Sequence, residues 1–232
     1  MRNKIGKIAR IVAIILLGMT VAMNLLGGIG TSCAAFSNNV GYRMAFKELM
    51  DYRWLYQALV ITTILIGLAG VWGLVKLVIG GPKVYRDALI ILLIGCVLAG
   101  VHYYASMMLR GKAAPANVKF FINIFTLVVF LVFKAPGIRN KVNFTSPGGK
   151  NETNSAVGVT AIVIGTIFLT VFQWAGPSHT FFQENWTYVF YAPLVIVGTA
   201  LTLLGSGLIG REVLDILSQN IRVPKLRPFE SN

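Results

Sequence analysis

Polar and apolar residues alternate along this chain in long blocks, and six stretches contain no Asp, Glu, Lys or Arg: 11–42, 54–75, 88–109, 120–133, 153–183 and 185–210. A helix rises about 1.5 Å per residue, so a run of about 22 residues reaches roughly 33 Å, enough to cross a hydrocarbon core of about 30 Å. Five of the runs meet that length unaided. The pattern predicts an all-α fold: a polytopic integral membrane helix bundle of six transmembrane helices, a four-helix unit followed by a terminal hairpin.

Within that plan the first helix is expected from about Lys7 to Leu26, stopped by Gly27, Gly28 and Gly30, residues that free the backbone to leave a helix. The outer segment 31–53 places Tyr42, Phe46, Leu49, Met50 and Arg53 at helical spacing, predicting a short interfacial helix. The second helix spans Trp54 to about Ile79 and the third Ala88 to Leu109. The fourth, Phe120–Phe133, is short; Lys119 and Lys134 extend it by snorkelling toward opposite interfaces, and a re-entrant segment is the alternative. Ala135–Ser155 is a polar linker, followed by a fifth helix, Ala156–Trp174, and a sixth, Val189–Gly210. The expected division is thus a unit 1–134, a linker 135–155, a hairpin 156–210 and a basic amphipathic tail 211–232 carrying Val213, Leu214, Leu217 and Ile221 on one helical face.

Composition agrees with this reading. The chain is 56% hydrophobic and 12% charged, whereas soluble domains are about 25% charged. At 232 residues it accommodates six helices and leaves no room for a soluble catalytic domain. The net charge of +13 changes the picture through its placement. Four basic groups, Arg2 to Arg10, Lys76 to Arg86, Lys134 to Lys150 and Arg211 to Arg227, fall at alternate ends of the apolar runs. The positive-inside bias therefore predicts a cell membrane protein, plasma or inner, with both termini cytoplasmic. Bases that flank apolar runs do not form a nucleic-acid face, so no nucleic-acid partner is expected.

The basic start and first apolar run also fit a secretory signal, with a lipoprotein-type cut before Cys33 conceivable. Gly30 suits that cut poorly and the run is long for a signal core, so a retained first helix is expected. Cys33 and Cys96 lie at different depths and belong to no metal or redox pattern, so they read as small apolar fillers.

Candidate chemistry is sparse. No Asp or Glu falls in mid-run, which argues against acidic ion pathways and paired-Asp intramembrane proteases. His102 is the low-probability candidate for holding a haem or pigment; no cofactor and no metal are predicted, since a satisfied histidine near the interface explains it more simply. The glycine-rich 27–30 stretch reads as a helix end rather than an anion nest. Small residues Gly67, Gly70, Gly73, Gly95, Ala99 and Gly100 are candidates for close helix packing. Tyr52, Trp54, Tyr56, Trp174, Trp186 and Tyr188 are expected as interfacial anchors.

The function these features suggest is a non-catalytic accessory or scaffold subunit of a larger membrane assembly, with the lipid bilayer and other membrane subunits, or further copies of itself, as partners. A small permease or lipid-handling protein, its pathway lined by buried Thr and Asn, is the alternative. A redox or pigment subunit using His102 is the second alternative.

Overall fold

The structure, a computed structural model, describes residues 4–38, 40–176, 179–181 and 183–221. It is mostly helical: α1 Lys4–Phe36, α2 Val40–Ala45, a 3-10 helix Lys47–Tyr52, α3 Arg53–Ile79, α4 Val84–Arg110, α5 Ala116–Val132 and α6 Lys150–Trp174. A two-residue antiparallel pairing follows, β1 Thr180–Phe181 with β2 Glu184–Asn185, then a 3-10 helix Trp186–Phe190 and α7 Tyr191–Ile221. Among the described residues five helical segments are long and apolar enough to cross a membrane, those containing α1, α3, α4, α6 and α7, while α5 has 17 residues.

The bundle winds up and down around α1, which packs on α3, α5 and α6; α4 joins α3 to α5, and α7 packs on α6. A continuous apolar core forms where Ala13, Ile14, Leu17 and Val21 of α1 meet Leu77 of α3, Leu92 of α4 and Phe130 of α5. Two ends can be named by their polar residues, an Arg10 end and a His102 end.

At the Arg10 end, Arg10 is 2% exposed and donates to the carbonyls of Leu77 and Val78, each at 2.7 Å, and of Ser146 at 2.8 Å. The last carbonyls of a helix have no partner within it, and a buried guanidinium satisfies two of them on α3. Gly80 then turns the chain at φ +90°, a conformation that disfavours any side chain, with the backbone of Ser146 and Pro147 within 3.0 Å of where a Cβ would sit.

Three expectations about helix bounds need correction. α1 does not stop at Gly27–Gly30 but continues to Phe36. The glycines serve close approach instead: a Cβ on Gly28 would lie 2.7 Å from Ile64, and one on Gly27 would lie 3.2 Å from the Lys119 stem. Tertiary packing thus overrides their weak helix propensity. α6 begins at Lys150, inside the expected linker, because Glu152 in its first turn accepts from the Gly149 N–H at 3.1 Å and pairs with Lys7 at 3.4 Å. α7 runs unbroken from Tyr191 to Ile221, so the amphipathic stretch expected as a separate tail helix extends the last apolar helix. The basic residues Arg222, Lys225 and Arg227 lie outside the described residues.

The expected interfacial segment 31–53 folds as α2 and the 3-10 helix, anchored by Arg53, which donates to the Ala35 carbonyl at 2.8 Å, and by Leu49, 2% exposed.

Candidate functional site

The polar residues of the interior converge at the His102 end. Three helices supply them at helical spacing: Tyr56 and Thr63 two turns apart on α3, His102, Ser106 and Arg110 four apart on α4, and Lys119, Asn123 and Thr126 down one face of α5. On α4 and α5 each turn therefore adds one polar side chain to a shared seam, and on α3 every second turn does.

At the deep end, Thr20 of α1 donates to its own Leu16 carbonyl at 2.9 Å, which leaves the Thr126 hydroxyl to donate to Thr20 at 2.8 Å. One turn higher, Asn123 donates to Asn24 at 2.9 Å and to the Lys119 carbonyl at 2.8 Å, and Asn24 returns a longer bond of 3.4 Å. These bonds tie α1 to α5 where apolar burial alone gives helices no reason to associate.

Above them sits Lys119, 2% exposed, its ammonium 2.9 Å from His102 Nδ1 and 3.1 Å from Thr63 Oγ1. This corrects the expectation that Lys119 snorkels outward: its stem lies against Gly27 of α1, and its head is held by neutral acceptors on α3 and α4. Tyr56 is corrected likewise. It is 2% exposed rather than in a headgroup belt, bonded to Ser106 at 3.0 Å, with its ring edge-on to His102 at 5.6 Å.

His102 is 3% exposed. With Lys119 charged and donating to Nδ1, the ring proton resides on Nε2, so neither nitrogen offers a free lone pair to a metal centre. Among the described residues no group of three or more His, Cys, Asp or Glu is placed to hold a metal ion.

Two cavities adjoin at this end and share Gly30, Pro115 and His179 in their walls. One, of about 30 Å³, is the more polar, lined by His102, Ser106, Tyr56 and Arg110 together with apolar Phe46 and Leu49. The other, of about 70 Å³, is apolar and lies between α1, α6 and α7, with Trp174, Phe190 and Leu194 in its wall. Among the described residues neither lining includes an Asp or Glu. Arg110 also stacks over the Phe46 ring at 4.9 Å, and Glu48 shares its field from outside the lining.

His179 stands in the loop between α6 and α7, its Nδ1 at 3.0 Å from the Ala175 carbonyl and its Nε2 facing Gly30. Burial pushes its pKa below the ordinary histidine value; the Ala175 bond opposes that shift and the charge of Arg110 adds to it. Its loop position in the sequence carried no signal that it would roof a cavity built by α1 and α4.

The small residues singled out in the sequence all sit at close contacts. A Cβ on Gly67 would meet Leu25, on Gly70 Val21, on Gly73 Ile91, on Gly95 the Asn123 amide at 2.4 Å, and on Gly100 the Phe120 ring, while Ala99 is 1% exposed. The sequence reading missed a second seam: Gly158 and Gly165 of α6 face Gly205 and Gly198 of α7 across backbone carbonyls. Tyr52, Trp54, Trp174 and Tyr188 are exposed at 45%, 66%, 39% and 60%, and the side chain of Trp186 lies outside the described set. Cys33 and Cys96 are free thiols.

No protein family model, no curated protein and no solved structure matches the chain.

Proposed function

We propose that this is a six-span protein of the plasma or inner membrane, both termini cytoplasmic, that works without catalysis as an accessory or scaffold subunit of a larger membrane assembly. The sixth span is α5. It is short for a bilayer, but it runs antiparallel to α1 from Lys119 at the His102 end to Phe130, whose carbonyl accepts from Tyr85 near the Arg10 end. Local thinning and flanking cations accommodate such a mismatch at modest cost. The basic residues Lys7, Arg10, Lys76, Lys83, Arg86, Lys134 and Arg139 gather toward the Arg10 end, which supports a cytoplasmic assignment for it.

The observation that carries the accessory role is α7. This helix of 31 residues is held by α6 along one side and leaves Ile196, Leu203, Leu204 and Leu214 at 65–68% exposure. Gly207 and Gly210 face open space on the same helix. Small residues beside apolar ones suit the close approach of another helix in lipid. Meanwhile the interior polar groups bond one another across α1, α3, α4 and α5, which makes a rigid support.

A photocrosslinker at position 203 or 214, activated in native membranes, tests this. One discrete protein adduct is expected, with a mass of twice the chain indicating self-association. Lipid adducts alone would refute the accessory role.

The lipid-handling alternative has one specific observation in its favour, the adjoining polar and apolar cavities at the His102 end. The redox or pigment alternative has less support, because His102 Nδ1 is engaged by Lys119, and no cofactor is proposed.

A further inference from the structure

We propose that the adjoining cavities at the His102 end bind a carboxylate-headed single-chain lipid, of the fatty-acid class, with its head in the more polar cavity and the near part of its chain in the apolar one. This rests on the lipid-handling reading and narrows it to one ligand chemistry.

Charge comes first. The polar cavity presents the Arg110 guanidinium, hydroxyls of Tyr56 and Ser106, and the His102 ring, backed by the Lys119 ammonium at 2.9 Å. Among the described residues its lining contains no carboxylate; Glu48 acts on Arg110 from outside that lining. A buried ammonium bonded to the neutral groups Thr63 and His102, behind a cavity that Arg110 also lines, creates a positive potential in low dielectric that an anion relieves. Ligand carboxylates meet guanidinium groups with two parallel bonds, and the fork geometry of Arg110 supplies both donors.

Size decides the head. A cavity of about 30 Å³ holds two or three water-sized groups, since each needs about 10–15 Å³. Two carboxylate oxygens match that space; a phosphodiester with its glycerol does not. Adjacency decides the rest of the molecule. The apolar cavity of about 70 Å³ shares the wall residues Gly30, Pro115 and His179 with the more polar one, so the chain of a head seated near Arg110 would enter the apolar cavity past those three residues. Pockets of this composition, apolar with a few convergent polar groups, are typical of small-molecule sites.

The test uses the full chain in phosphatidylcholine nanodiscs, with Trp54, Trp72 and Trp186 replaced by Phe so that Trp174 reports alone. Dibromostearate, whose bromines quench indole fluorescence on contact, is the probe. Saturable quenching is expected, displaced by palmitate but not by hexadecanol or by excess acetate. Arg110→Gln is expected to weaken binding about tenfold or more, the worth of a charge-assisted pair, and Arg110→Lys less. Should the Gln variant fail to fold, Leu194→Phe keeps the question open to refutation: it narrows the apolar cavity without adding an indole and is expected to abolish saturation. Displacement by hexadecanol as strong as by palmitate would overturn the carboxylate assignment while leaving lipid handling intact. Quenching that is linear, undisplaced and unchanged by both variants would overturn the site and the lipid-handling reading together.

Discussion

The Lys119 ammonium lies 2.9 Å from Nδ1 of His102, two residues on neighbouring helices that hold a positive charge inside an apolar bundle. Thr63 is its second acceptor, at 3.1 Å. The arrangement gives His102 a structural task, accepting a charged hydrogen bond, whatever else occupies the neighbouring cavity.

That task separates two substitutions. His102→Gln retains a side-chain acceptor at similar reach and should preserve folding, with no visible absorbance in the purified wild type. His102→Leu leaves the ammonium with one acceptor fewer and should destabilise by about 1–2 kcal/mol, seen as a lower midpoint of thermal unfolding in detergent. Adding Lys119→Met to His102→Leu should restore most of the loss, because an uncharged side chain needs no partner. A double variant as weak as the single one would show that the imidazole acts through packing alone.

The glycines of the α6–α7 seam predict a sharp positional contrast. A Cβ on Gly205 would stand 2.5 Å from the Gly158 carbonyl, whereas Gly207, two residues on, has nothing within 4 Å. Gly205→Ala should therefore force the helices apart and lower thermal stability. Gly207→Ala should raise it slightly, by roughly 0.5–1 kcal/mol, through helix propensity. The same contrast applies on α3, where Gly70→Leu would strike Val21 of α1 while exposed Leu65 and Leu68 tolerate change. Equal unfolding midpoints for the pairs would mean that neither seam needs its small residues.

How much of this was legible beforehand differs from residue to residue. The apolar runs placed helices over 54–79 and 88–109 within a few residues of α3 and α4, because length and hydropathy act locally. The fate of Lys119 could not be read that way. A lysine at the edge of an apolar run can turn to the interface or inward with equal sequence cost, and the choice falls to Gly27, which opens room for its stem, and to His102 and Thr63, which accept its charge. Arg10 is a parallel case: it reads as a flanking positive charge, yet it serves the carbonyls of a helix end 67 residues away. The spacing of His102, Ser106 and Arg110 was a visible clue to one polar face, but only tertiary contact shows that Tyr56 and His179 join it.

Arg10 itself yields a prediction. Replacement by Met leaves the Leu77 and Val78 carbonyls buried without their donor and should cost about 2–4 kcal/mol in thermal unfolding, while Arg10→Lys should recover only part, since one ammonium cannot span three acceptors in a planar fork. Full recovery by Lys would reduce the interaction to net charge.

The pH dependence of stability should carry the mark of His179. Its pKa in the folded protein is held below the unfolded value of about 6.5 by burial, against the Ala175 bond and with the charge of Arg110. The unfolded state therefore binds more protons as pH falls, and the folded state loses stability from about pH 6.5 downward while gaining nothing above it. The wild-type unfolding midpoint should accordingly be level above about pH 7 and decline below about 6.5, with His179→Gln showing a shallower decline over that window. Superimposable profiles for the two proteins would place the titrating group elsewhere.

The last prediction concerns which way the bundle faces. With α5 as a full span, positions near Lys4, Arg86 and Lys141 share the Arg10 end, while those near Lys47 and Arg110 share the His102 end. Single cysteines introduced into a variant lacking Cys33 and Cys96 should be labelled by an impermeant maleimide in intact cells at positions 47 and 112, and at 86 and 145 only after permeabilisation. Position 145 is the informative one, because it follows α5 and lies beside Phe144, whose carbonyl accepts from Gly81 at the α3–α4 turn. Labelling at 145 from outside, with 86 still protected, would contradict that neighbourhood and make α5 a re-entrant segment.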